Sequence, residues 1–171
     1  MDLHGLLVDH RRAKWEYFRE VVGIEFSSWE LGREGIVREL AGLGRDFAFY
    51  ERNVENFLNS SYMDRCIEVI SARRFLENSP RSWNVRVVTG PYMKEEAFRR
   101  SVRRFALPRI QDYRRVEDEL RAAVLVEMRV RLYFDDKRSH LPAIAASGIR
   151  CIQVASANAS ESSDAFRRYY S

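Results

Sequence analysis

Short apolar runs separated by longer amphipathic stretches set the pattern of this chain. Residues 3–8, 85–88, 130–134 and 149–154 are each bounded by polar or turn residues, and three of the four are rich in Val and Ile, which predicts strands. Residues 107–110 form a weaker fifth candidate that Pro108 pushes to an edge. Helical periodicity fills the gaps. Trp15, Phe18 and Val22 recur at i, i+3 and i+7 within 13–22; Ser27 or Ser28 caps a helix that runs to Leu43, with Gly44 as its stop. Over 46–58, Phe47, Tyr50, Val54 and Phe57 share one face, and 62–77 carries Ile67, Ile70 and Phe75. Helices over 94–105, 116–126 and 141–146 follow, the last stopping at Gly148, and 156–171 reads as a loop with a short terminal helix or frayed end. Strands alternating with helices predict an α/β fold, a Rossmann-like parallel sheet with helices on both faces.

In such sheets, ligands bind at the carboxyl ends of the strands. Those ends hold Asp9, Thr89-Gly90 and Asp135-Asp136. An Asp at a strand end is a candidate phosphoryl acceptor, and a Thr followed by Gly offers a hydroxyl and a backbone N–H to a phosphate. Clustered carboxylates repel one another, and a hard dication such as Mg²⁺ relieves that repulsion. The set reads as a site for phosphoryl transfer.

Three motifs in this order resemble the haloacid dehalogenase (HAD) superfamily. Leu6-Leu7-Val8-Asp9 is similar to its first motif, Val87-Val88-Thr89-Gly90 to its second, and Tyr133-Phe134-Asp135-Asp136 to its fourth; the block 133–154 is similar to the small magnesium-dependent phosphatase branch. The resemblance implies one HAD-like domain over 1–171 with a small helical cap insert at about 24–60. It implies Asp9 as nucleophile, Thr89 and Gly90 on the phosphate, and Asp9, Asp135 and Asp136 as Mg²⁺ ligands. The family writes its first motif Asp-x-Asp-x-Thr, whereas this chain reads Asp9-His10-Arg11-Arg12-Ala13. Arg11 therefore stands in the place of the general acid/base, and a guanidinium cannot exchange protons in that role. The family's third-motif cation has no lysine counterpart here, which leaves Arg114, Arg115 or Arg121. Mg²⁺ is thus a cofactor that the altered motif puts in question. Arg11 itself is expected to pair with the neighbouring carboxylates.

Composition narrows the partners. The 171 residues are 46% hydrophobic and 32% charged with net charge +4, and no apolar run approaches a membrane span, so a globular cytoplasmic protein without a membrane partner is expected. The opening residues lack a signal-peptide pattern. Cys66 and Cys151, the two cysteines, are expected as buried thiols, and the three histidines show no metal spacing. In the run Arg99–Arg104, Arg100, Arg103 and Arg104 share a helix face that with Arg109, Arg114 and Arg115 forms a basic patch for nucleic acid, set against the neighbouring acids that would make it an ordinary solvated face. Three functions follow. The first is a HAD-like phosphohydrolase scaffold with lost or very weak Mg²⁺-dependent phosphatase activity, acting as a binding or regulatory module. The second is an active Mg²⁺-dependent phosphatase using Asp9 on a phosphorylated small molecule. The third is a nucleic-acid-associated protein using the arginine-rich face. The sequence carries no signature of oligomeric state.

Overall fold

The computed structural model of the chain describes residues 7–105 and 110–154. Predicted strand residues 3–6 and 107–109, and the segment 156–171, lie outside the described residues. The fold is mixed α/β and divides into two compact units. One is built from 1–8, 68–91 and 106–171, the other from 9–67 and 92–105.

The first unit carries the parallel strands. β3 (Val85–Thr89) pairs in parallel with β4 (Ile110–Arg115), and β5 (Leu132–Asp135) with β6 (Arg150–Gln153). Two-residue strands β1 (Val8–Asp9) and β2 (Ile67–Glu68) make a third pair. Among the described residues the strands thus hydrogen-bond two by two rather than as one continuous ladder. Four of the five β3 residues are buried, as expected of a parallel strand covered on both faces. β4 begins at Ile110, where the weak fifth candidate ended, and runs on into Arg114 and Arg115. Helices α4 (Ile70–Asn78), α6 (Arg121–Glu127) and α7 (Leu141–Ala146) complete the unit. Val88, Val116, Leu125, Met128, Tyr133, Ile144 and Ile149 form its core. α7 stops where Gly148 takes φ +81°, a backbone that glycine adopts without a Cβ penalty.

The predicted helix over 62–77 is broken. A 3₁₀ turn at Ser61–Arg65 gives way to β2 before α4 begins. The Val69 N–H goes to the Leu7 carbonyl at 3.0 Å instead of up a helix, and the β-branched Ile67 and Val69 favour that extended path.

The second unit is helical. α1 (Arg11–Tyr17) starts earlier than the apolar period predicted and widens into a π-helical turn at Phe18–Val22, closed by Gly23 at φ +76°. α2 (Arg33–Gly42) starts at Gly32, not at a serine: Ser27 places both its N–H and its hydroxyl on Glu39, and Ser28 accepts from Glu30 N–H in a local turn. α3 (Phe47–Leu58) falls within the predicted 46–58 and is capped by Asp46, whose Oδ1 accepts the Phe49 N–H at 2.8 Å. α2 and α3 both fall within 24–60. α5 (Glu95–Phe105) is tied in through Asn59, which accepts the Lys94 N–H at 2.8 Å. Tyr17, Phe18, Phe26, Leu40, Phe57 and Met63 are buried in this unit. The Phe18 and Phe26 rings stand 5.0 Å apart and those of Tyr17 and Phe57 5.8 Å.

Each unit carries one free thiol. Cys66 is buried in the second unit, and burial pushes its pKa up to about 12. Cys151 in the first is only half-buried, less enclosed than expected, and burial together with Asp135 raises its pKa too.

Candidate functional site

Asp9 closes β1, and the chain turns at once into α1. That turn brings Arg11 back onto the carboxylate. The Arg11 N–H reaches Oδ1 at 3.0 Å, Nε reaches Oδ1 at 3.0 Å, and Nη2 reaches Oδ2 at 2.6 Å. The guanidinium also lies 5.5 Å from the Trp29 ring centroid. Burial alone would raise the Asp9 pKa, but the hydrogen bonds and charge of Arg11 outweigh it and hold the carboxyl below its ordinary value. The hydrogen bond to Asp9 in turn raises Arg11. Both oxygens of the candidate nucleophile therefore accept donors from a residue that cannot release a proton. Arg11→Ala is expected to lower stability by about 2 kcal/mol in urea denaturation, below the ~3–5 kcal/mol of a fully buried pair because solvent reaches both side chains. No measurable loss would show that the pair is screened out.

In the first unit, Asp135 ends β5. Side chains alternate along a strand, so Tyr133 and Asp135 share a face while Phe134 turns the other way, its ring 5.0 Å from Phe75. The Tyr133 hydroxyl donates to Asp135 Oδ2 at 3.0 Å, the Lys137 N–H to Oδ1 at 2.9 Å, and His140 Nδ1 lies 2.7 Å from Oδ2. Arg121 Nη1 donates to the Tyr133 hydroxyl at 3.0 Å and stands 3.8 Å from Asp135 Oδ2. Asp118 closes the cluster, holding Arg121 at 2.9 Å and Lys137 at 2.9 Å, with His140 Nε2 at 3.2 Å but off the hydrogen-bond line. Burial pushes Asp135 and Asp118 toward higher pKa, yet His140, Lys137 and Arg121 outweigh it and leave both lowered. At Asp136, burial and the charge of Asp135 outweigh the pull of His140 and push it up to about 6.

Of the three arginines considered for the third-motif role, Arg121 is buried against this acidic pair. Arg114 and Arg115 are exposed on β4; Arg114 is 3.9 Å from Glu127, and Arg115 is the register partner of Thr89. Thr89 is buried and its hydroxyl has no hydrogen-bond partner among the described residues. A Cβ added to Gly90 would meet nothing within 4 Å. Asp118, Tyr133 and His140 were missing from the candidate residues. The Asp118–Arg121 spacing of three is a helical pairing signal, but no spacing rule links His140 to Asp135 across a turn.

Neither unit, taken by itself, holds three His, Cys, Asp or Glu side chains grouped to bind a metal among the described residues. A hard dication needs about six oxygen ligands. Asp9 carries a guanidinium on both oxygens, and Asp135 is occupied by three donors, so these carboxylates as arranged do not fit Mg²⁺.

Comparison with solved structures places the architecture. The chain matches the crystal structure of a hydrolase from Streptococcus pneumoniae TIGR4. The TM-score is 0.58 over 91% of each chain, at 15% sequence identity. At that identity the likeness is one of fold, and the chain has a hydrolase-like fold in that sense. No family model matches the chain, and no curated protein does.

The arginine-rich helix is largely engaged within its own unit. Arg100 donates to the Ser60 carbonyl at 3.0 Å and pairs with Asp64 at 3.3 Å, Arg104 donates to the Met63 carbonyl at 3.5 Å, and Arg99 pairs with Glu95. No helix among the described residues is long and apolar enough to cross a membrane.

Proposed function

We propose that this chain is a HAD-like phosphohydrolase scaffold that binds a phosphorylated small molecule and has lost, or nearly lost, Mg²⁺-dependent phosphatase turnover. The observation that carries the reading is the Arg11 clamp on Asp9, with Nη2 at 2.6 Å from Oδ2. It supports a nucleophile whose electron pairs are engaged and an acid/base position filled by a permanent cation. Thr89 and Gly90 would receive the phosphate, supported by the Thr89 hydroxyl that has no hydrogen-bond partner among the described residues. Arg121 would supply the third-motif cation. In this reading Arg11 takes over charge neutralisation from Mg²⁺, and the protein acts as a binding or regulatory module. The arginine packing of α5 does not favour a nucleic-acid role.

Hydrolysis of p-nitrophenyl phosphate with and without Mg²⁺ tests this. Wild type is expected to show no turnover, or a rate at least ~10²-fold below that of Arg11→Asp, made if needed together with Ala13→Thr, because general acid/base catalysis contributes ~10²–10⁴-fold. Rapid Mg²⁺-dependent hydrolysis by wild type that vanishes in Asp9→Asn would refute it.

A further inference from the structure

Asp118 and Asp135 bring two negative charges to the carboxyl end of β5, and Arg121 and Lys137 bring two positive charges to meet them. That positive charge equals the charge of one Mg²⁺. The ligand positions are filled as well. Asp135 is fully buried and accepts from three parts of the chain. The Tyr133 hydroxyl comes from β5 itself, the Lys137 N–H from the turn after it, and the His140 ring from the 3₁₀ turn Arg138–His140. A carboxylate offers lone pairs only, so His140 Nδ1, at 2.7 Å from Oδ2, carries the hydrogen. Nε2 is then left with a lone pair, which accounts for its facing Asp118 Oδ2 at 3.2 Å without a hydrogen bond. Arg121 is 3% exposed and lies between the Tyr133 hydroxyl at 3.0 Å and Asp118 Oδ1 at 2.9 Å. Lys137 Nζ takes the other Asp118 oxygen at 2.9 Å.

A dication entering this cluster would have to displace the His140 ring or the Lys137 N–H to reach Asp135. It would then sit close to Arg121, a buried guanidinium that cannot shed its proton. Like charges a few ångströms apart repel strongly where water is excluded. The side chains also supply the mechanical link that a bound metal provides. Through Asp135 and Asp118 they tie the end of β5 to the turn that follows it and to the first residue of α6.

We propose that Arg121, Lys137 and His140 are a built-in replacement for a divalent cation in the first unit, closing the carboxylates of Asp118 and Asp135 to metal. The inference goes beyond the Arg11 clamp, which belongs to the second unit, and does not depend on it.

The test uses Mn²⁺ as the probe on unmodified protein at pH 7. The chain has three histidines, His4, His10 and His140, and a bound Mn²⁺ broadens most the ring NMR signals nearest to it. The His140 signals are expected to stay sharp at millimolar Mn²⁺. Broadening of His140 equal to or ahead of that of His10 overturns the proposal. Broadening of His10 with His140 left sharp supports the closure here and places the cation beside Asp9, against the function proposed above. A second arm opens the cluster. His140→Asn combined with Lys137→Met leaves Arg121 in place and removes two of the groups that hold the carboxylates. This variant is expected to gain a few degrees of melting temperature from Mg²⁺, against NaCl at matched ionic strength, where wild type gains none. A folded double variant that gains nothing overturns the proposal, as does a wild type that gains as much. Should the double variant fail to fold, the wild-type histidine spectrum decides alone.

Discussion

Arg121→Met is expected to cost about 3–5 kcal/mol, the usual penalty for removing one partner of a buried charge cluster. Arg121 is 3% exposed and Asp135 fully buried, so solvent cannot replace the lost guanidinium. The substitution also removes the donor to the Tyr133 hydroxyl and the 2.9 Å pair with Asp118. For a chain of this size such a loss lowers the melting temperature by roughly 6–20 °C. The shape of the pH profile adds a second check. Asp135 and Asp118 have pKa values lowered below 3.8, so their contribution is present above about pH 4 and is lost as pH falls through the folded-state values. Removing Arg121 should flatten that acid limb. Asp135→Asn placed on top of Arg121→Met should recover part of the loss, because it removes the stranded charge. Denaturation at pH 7 giving less than ~1 kcal/mol for the single change would mean that water reaches the cluster.

Lys14→Met is expected to stabilise the protein by about 3 kcal/mol at pH 7. The figure follows from a folded pKa of about 8 against 10.5, caused first by burial, at ~1.4 kcal/mol for each tenfold change in proton affinity. The folded pKa lies below the unfolded one, so the unfolded chain binds the extra proton between about pH 8 and 10.5, and wild-type stability from this group rises across that window. The gain from Lys14→Met should therefore be full below pH 8 and shrink toward zero by pH 10.5. Tyr17 and Tyr50, whose pKa values burial raises, bend both profiles alike at high pH, so the difference between the two proteins is the quantity to read. A constant difference from pH 7 to 10.5 would show that the ammonium is already neutralised.

Strand ends were the most legible part of the chain. Asp9, Thr89 and Asp135 each close a strand, because a run of apolar residues stopped by a polar one leaves little freedom about where pairing ends. Helix α3 was equally plain, since Phe47, Tyr50, Val54 and Phe57 repeat on one face. What local rules missed were choices made by distant partners. Ser27 had the chemistry of a cap and spent it on Glu39, twelve residues away. Val69 had helical neighbours and gave its N–H to Leu7. The pairing of Arg11 with Asp9 was readable because a single residue separates them. The engagement of Asp135 by His140 and Arg121 was not, since it depends on how a turn and a helix fold back onto a strand end.

The two thiols turn this division of the molecule into a kinetic instrument. One sits in each compact unit, Cys151 half-buried and Cys66 enclosed. Only a thiolate attacks a disulfide or maleimide reagent readily, and both thiols are held protonated by their surroundings. Reagent in excess should consume Cys151 first. Cys66 should follow at a rate set by how often the helical unit opens. That slow phase is a clock for local unfolding, readable by mass spectrometry in unmodified protein. Its acceleration by a substitution in the same unit, with the fast phase unchanged, would show that the helical unit opens on its own while the strand-bearing unit stays closed.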